Sequence, residues 1–329
     1  MNTTTLLKTG ALAGWLLASG LVGCGKKAPP ATPAADSTAT TASAAGQKLN
    51  TGTPVDGEAT VTVAATVGVG AEIQAGWTGP GNVGDYIDLV PRGFTATSGE
   101  IVYAYAKDAI PVAKFQAPTT PGEYDVRYVL QLASERKVKA TAPLTVTAAT
   151  ATLTVPPGAE GGEPLTIAWV GPAGNGDYID VVVAGHSETN GEITYAYTRD
   201  GNPAKLTAPG KSGAYEIRYV LEGPTGRKVL TASPLAVTQP AATLKADESA
   251  AKGSKVKVEW TGPKRKGDYI DLVKKGHTDT SGELSYCYTD RESASELTAP
   301  AEAGEYEIRY ILEAPGGRQV LARRPLRVR

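Results

Sequence analysis

Apolar and β-branched residues run along most of the chain in short alternating stretches. Gly and Pro interrupt them roughly every 8 to 12 residues, the spacing of a β-sandwich. In GEYDVRYVL, from Gly122, the residues Tyr124, Val126, Tyr128 and Leu130 share one face, and Glu123, Asp125 and Arg127 take the other. That two-residue period predicts a strand with one face in a core. Between residues 58 and 148 seven such runs stand out, at 59–65, 72–77, 86–90, 100–106, 113–116, 122–132 and 137–147. The fold class they predict is all-β, an immunoglobulin-like β-sandwich. The opening of the run from Gly122 also matches a tyrosine corner, with Tyr124 as its ring and Val126 as the core residue two positions on.

The pattern is written three times. WTGPGNVGDYIDLV from Trp77 returns as WVGPAGNGDYIDVV from Trp169 and WTGPKRKGDYIDLV from Trp260, at spacings of 92 and 91 residues. The run from Gly122 returns at Gly213 and Gly304. Three tandem domains follow, at 58–148, 149–240 and 241–329, joined by so few residues that a stiff array is expected. Within each WxGP…GDYID passage the Trp closes a strand, Gly and Pro turn the chain, and a later Gly releases it into the next strand. Three residues at the tip of that turn diverge: Gly81, Asn82 and Val83, then Ala173, Gly174 and Asn175, then Lys264, Arg265 and Lys266. Divergence on a shared scaffold makes these tips candidate interaction residues.

The first residues carry a different signal. An apolar stretch over 12–22, too short to span a bilayer as a stable helix, leads into Leu21-Val22-Gly23-Cys24. This resembles the lipobox of bacterial lipoproteins. The resemblance implies a signal peptide over 1–23, cleavage before Cys24, acylation of Cys24 and a membrane anchor. Gly25 after the Cys implies, by the same resemblance, the outer membrane of a Gram-negative cell. Residues 24–57, rich in Ala, Pro, Thr and Ser, are expected to form a flexible linker with a random-coil span of roughly 30 Å. The WxGP, GDYID and GxYEIRYVL motifs together resemble repeat segments of bacterial envelope proteins, some of which carry von Willebrand factor A domains. No A domain occurs here, and the resemblance implies no catalytic residue.

Composition narrows the function. With 33 basic and 34 acidic residues the chain lacks the charge of a nucleic-acid binder. Beyond Cys24 the only cysteine is Cys287, which replaces Ala104 and Ala196 of the other copies and reads as a small apolar strand residue. Asp85 and Asp88 recur as Asp177 and Asp180 and as Asp268 and Asp271. Residues three apart on a strand face opposite ways, so none of the three pairs is expected to converge on a metal. Asp85 is expected to cap its turn. Asp88 is expected to face outward near Arg127, a contact worth at most about 1 kcal/mol when exposed. His186 and His277 hold one repeat position, occupied by Phe94 in the first copy, and read as surface-loop residues. The pairs Tyr103/Tyr105, Tyr195/Tyr197 and Tyr286/Tyr288 are expected in the core or anchored by their hydroxyls. The last domain has sixteen basic and fourteen acidic residues, an excess assigned to a solvated face. No nucleophile, base, metal cluster or cofactor motif converges. The expectation is a lipid-anchored, non-catalytic spacer and interaction module of the cell envelope with a protein or polymer partner. The alternative is a lipoprotein that binds a glycan or another envelope polymer.

Overall fold

The computed structural model describes residues 49–106, 111–290 and 294–329. The predicted signal peptide, Cys24 and the first part of the predicted linker lie outside the described residues.

The chain is all-β, in three immunoglobulin-like sandwiches. In the first, the strands are β1 (Thr60–Thr62), β2 (Thr66–Gly68), β3 (Glu72–Thr78), β4 (Tyr86–Pro91), β5 (Val102–Tyr105), β6 (Val112–Gln116), β7 (Gly122–Gln131) and β8 (Arg136–Thr147). They form a three-stranded sheet in the order β1-β3-β6 and a five-stranded sheet in the order β2-β8-β7-β4-β5. The other two units repeat this order.

Eight strands form where seven are predicted. The run at 59–65 forms only β1, which pairs antiparallel with β3, and the unpredicted β2 follows it at Thr66–Gly68 and pairs parallel with β8 in the other sheet. The chain thus passes from one sheet to the other between β1 and β2, a switch that side-chain alternation does not encode. The other six predicted runs match strands to within a few residues.

The core lies between the sheets. Ile73, Ala75 and Trp77 from β3 meet Ile87 and Leu89 from β4, with Val126, Tyr128 and Leu130 from β7. The tyrosine corner forms in every unit: the hydroxyls of Tyr124, Tyr215 and Tyr306 donate to the carbonyls of Thr120, Lys211 and Glu302, each four residues upstream, at 2.8, 2.8 and 3.1 Å. The glycine of WxGP leaves room for a ring. A Cβ on Gly79, Gly171 or Gly262 would lie 2.4–2.7 Å from Tyr128, Tyr219 or Tyr310. Each of those tyrosines packs against the repeat's tryptophan at 5.7–5.9 Å between centroids.

Candidate functional site

The tip loops are fixed through their backbones. In the first unit the Tyr128 hydroxyl donates to Asp85 Oδ2 at 2.6 Å and accepts from the Gly81 amide at 3.0 Å. Asp85 also accepts from the amides of Asn82, at 2.8 Å, and Gln131, at 2.7 Å. The same clamp recurs with Tyr219 and Asp177 on Ala173 and Gly174, and with Tyr310 and Asp268 on Lys264 and Arg265. Asp85 therefore caps its turn as expected, but from a fully buried position. Because the donors are backbone N–H groups, the tip side chains are free to differ. Burial pushes the Asp177 and Asp268 carboxyls up, against the pull of the amide hydrogen bonds.

The structure places the tips at junctions inside the chain. Gln116 of the first unit lies within hydrogen-bond distance of the Asn175 carbonyl, at 3.1 Å, and the Glu222 carbonyl, at 2.8 Å. Thr119 meets Thr225 through its amide and its hydroxyl, and Leu221 of the second unit belongs to the first unit's core. At the next junction Arg265 pairs with Glu160 at 3.4 Å, and the Gly210 amide donates to the Pro315 carbonyl. In the first unit Asn82 is buried under residues 49–57, exchanging hydrogen bonds with Asn50 and Val55 at 2.8–3.0 Å. The end of the predicted linker is thus fastened to the first unit and not free. Val83, Ala173, Asn175, Lys264 and Lys266 stay exposed.

Asp88 corrects the sequence reading. It and Arg127 are cross-strand partners on β4 and β7, both essentially buried, joined at 3.0 Å (Nε to Oδ1) and 2.6 Å (NH2 to Oδ2). The connection between β4 and β5 folds back over this outer face, and Arg127 donates to the carbonyls of Phe94 and Ala96 at 2.9 Å. Asp180 with Arg218 and Asp271 with Arg309 repeat the pair. Strand alternation correctly puts Asp88 on the outer face; it carries no sign that a loop covers that face. The carboxylate hydrogen bonds push Arg127 and Arg218 above the ordinary guanidinium range.

The tyrosine pairs are a second correction. Val102 and Ala104 pack against the core, so Tyr103 and Tyr105 point outward, 45% and 49% exposed. Tyr195, Tyr286 and Tyr288 are equally open. The rings of each pair meet edge to face, with centroids 5.3–5.6 Å apart, on β5 or its equivalent at the end of the five-stranded sheet. Beside them Tyr86 is buried between Tyr103, at 5.7 Å, and the Arg136 guanidinium, at 5.5 Å, and its hydroxyl donates to the Thr97 carbonyl. Arg227 covers Tyr178 and Arg318 covers Tyr269 in the same way. Glu100, Glu192 and Glu283 stand next to these rings, and in each the Oε2 atom is buried with no hydrogen-bond partner. Sequence reasoning passed over these glutamates and arginines, although each recurs once per repeat. Their recurrence is indistinguishable in the sequence from that of framework residues.

The remaining candidates are structural. His186 and His277 sit in turns after the β4-equivalent strands, against Gly191 and Gly282, and His277 Nε2 lies 2.6 Å from the Ser281 carbonyl. Cys287 is a half-buried strand residue at the edge of the third core. Among the described residues no group of three or more His, Cys, Asp or Glu could hold a metal ion, and no helix is long and apolar enough to cross a membrane.

No family profile and no curated protein matches the chain. Solved structures similar to it include the chicken CNTN1 FN1–FN3 domains, 13% identical over 83% of this chain and 100% of that one, with a TM-score of 0.24. Sidekick-1 immunoglobulin domains 1–5 are 14% identical over 82% of this chain and 58% of theirs, at 0.24. Drosophila OTK extracellular domains 3–5 are 10% identical over 84% and 98%, at 0.27. At such scores the alignments add nothing to the strand pairing of this chain, on which its immunoglobulin-like fold rests.

Proposed function

We propose that the chain is a lipid-anchored protein of the bacterial cell envelope, a non-catalytic spacer whose three sandwiches present a repeated contact surface. The observation that carries this reading is the set of five exposed tyrosines, Tyr103, Tyr105, Tyr195, Tyr286 and Tyr288, on the end strands of the five-stranded sheets. Exposed rings at equivalent sites in all three units offer apolar area that the fold itself does not use. The recurring aspartates, in contrast, are taken up by the tyrosine clamps and by arginine, which leaves them no role as acid or base. The lipobox-like sequence ending in Cys24 supports the anchor and the outer membrane of a Gram-negative cell as its place.

Two measurements test this. Metabolic labelling with a palmitate analogue is expected to mark the parent protein and to bring it into the membrane fraction, whereas Cys24→Ser is unlabelled. Equal labelling of both would refute the anchor. Pull-down from native envelope is expected to weaken with Tyr103→Ala, Tyr195→Ala and Tyr286→Ala combined; unchanged capture would refute the contact surface.

A further inference from the structure

The two junctions inside the chain are one contact made twice. In each, the tip of a unit and the loop after its β7-equivalent strand seat on the far end of the unit before. The middle residue of the tip is a point of contact: a Cβ on Gly174 would lie 2.8 Å from the Gly70 carbonyl oxygen, and Arg265 reaches Gly162 and pairs with Glu160. A leucine fills the space beside the far-end glycine. A Cβ on Gly70 would meet Leu221 at 2.6 Å, and one on Gly162 would meet Leu312 at 3.1 Å. The loop adds polar contacts, in which the Thr225 hydroxyl accepts from the Thr119 amide at 2.9 Å and the Pro315 carbonyl from the Gly210 amide at 3.0 Å.

The third unit carries the same far-end surface. Gly253 holds the place of Gly70, its amide donating to the Pro300 carbonyl as that of Gly70 donates to the Pro118 carbonyl. A Cβ on Gly253 would meet nothing within 4 Å. Lys252 and Ala301 are exposed where Val69, Gly161, Thr119 and Gly210 are buried. This face is therefore a junction surface that stands open among the described residues. At the opposite end, the first unit's tip meets residues 49–57 where the later tips meet a sandwich. Asn82, in the place of Gly174 and Arg265, exchanges hydrogen bonds with Asn50 and Val55, and the Asn50 amide donates to the Gly81 carbonyl at 2.9 Å. Asp56 fastens the segment further, pairing with Lys137 and Lys139 at 3.0 and 2.9 Å.

Complementary surfaces at the two ends of an array join copies head to tail, and such a contact does not close on itself. Repeat arrays of this kind need an end that refuses further units. We infer that the far end of the third unit fits the first-unit tip of a second copy of this chain, and that residues 49–57 are a cap that keeps this contact latent. Continuity with the two junctions selects a second copy as the occupant. Its first unit brings the same clamp-held tip, and Ser134, at the repeat position of Thr225, offers a hydroxyl to the Ala301 amide, which holds the place of the Thr119 amide. The cap prevails in the parent because it belongs to the same chain: a tethered segment acts at an effective concentration on the order of 1 mM. This contact uses the ends of the array and leaves the tyrosine-bearing strands free.

Light scattering after size exclusion, on the full chain in detergent, tests it. The parent is expected to keep the protein mass of one chain throughout a concentration series. Replacing residues 50–56 by a Gly-Ser stretch of equal length removes the cap's side chains and leaves every strand in place; the average mass of this variant is expected to at least double as concentration rises. Asn82→Gly, which gives the first tip the middle residue of the second, is expected to associate in the same way at higher concentration. Adding Ala301→Arg to the uncapped chain is expected to restore the mass of one chain, because at the equivalent Gly210 even a Cβ would lie 2.9 Å from the Gly317 carbonyl oxygen. An uncapped chain that keeps the single-chain mass at every concentration overturns the inference. So does association that Ala301→Arg leaves unchanged, or a parent that associates as readily as the uncapped chain.

Discussion

A buried carboxylate opposite a buried guanidinium, made once per unit, carries the largest single-residue consequence. Removing one member of such a pair leaves an uncompensated charge in the interior, a loss of about 3–5 kcal/mol. Urea denaturation of Asp180→Ala or Arg218→Ala is expected to show a loss of that size, while the double replacement Asp180→Leu with Arg218→Met regains most of it. The buried tyrosines set the alkaline limit. Burial pushes Tyr178 and Tyr310 up to about 12. The folded protein therefore holds their protons where the unfolded chain, near the ordinary value of about 10, has lost them. Their contribution is complete below pH 10 and disappears as the pH rises through 12. Melting temperature followed together with phenolate absorbance is expected to stay level up to pH 10 and then fall; a flat profile to pH 12 would exclude the effect.

At the scale of the element, the strands and their inward residues were legible because alternation reports which side chains share a face. Tyr124, Val126 and Leu130 follow it directly. What alternation lacks is the other side of each face. It placed Asp88 outward but gave no sign of the loop that covers it. In β5 it left two faces of similar polarity, Ile101/Tyr103/Tyr105 against Val102/Ala104/Ala106, and the large rings were assigned to the core in place of the small residues. The structure makes Val102, Ala104 and Ala106 the inward set. The tip loops show the converse. Their divergence is visible, yet its meaning depends on neighbours that only the folded chain supplies. Gly171→Ala, which drives a methyl into Tyr219, is expected to cost about 1–3 kcal/mol in thermal or urea unfolding, while Val83→Ala on an exposed tip stays within about 0.5 kcal/mol.

Across the whole molecule, the three sandwiches are joined by direct contacts, and these tie their stabilities together. Leu221, a residue of the second unit, is fully buried and shares the first unit's core with Val69 and Ala117. Truncation to Ala is expected to cost about 2–5 kcal/mol, and hydrogen exchange should show the loss in both units. Leu206→Ala, inside the second core, should affect that unit alone. In the proposed function the tyrosine-bearing edge strands meet the partner, while the tips of the second and third units serve the junctions. Hydrogen exchange of the full chain with and without isolated envelope material tests this most directly. Protection is expected at residues 101–106, 193–198 and 284–289. Protection confined to the tips at 81–83, 173–175 and 264–266, with the edge strands unchanged, would contradict it.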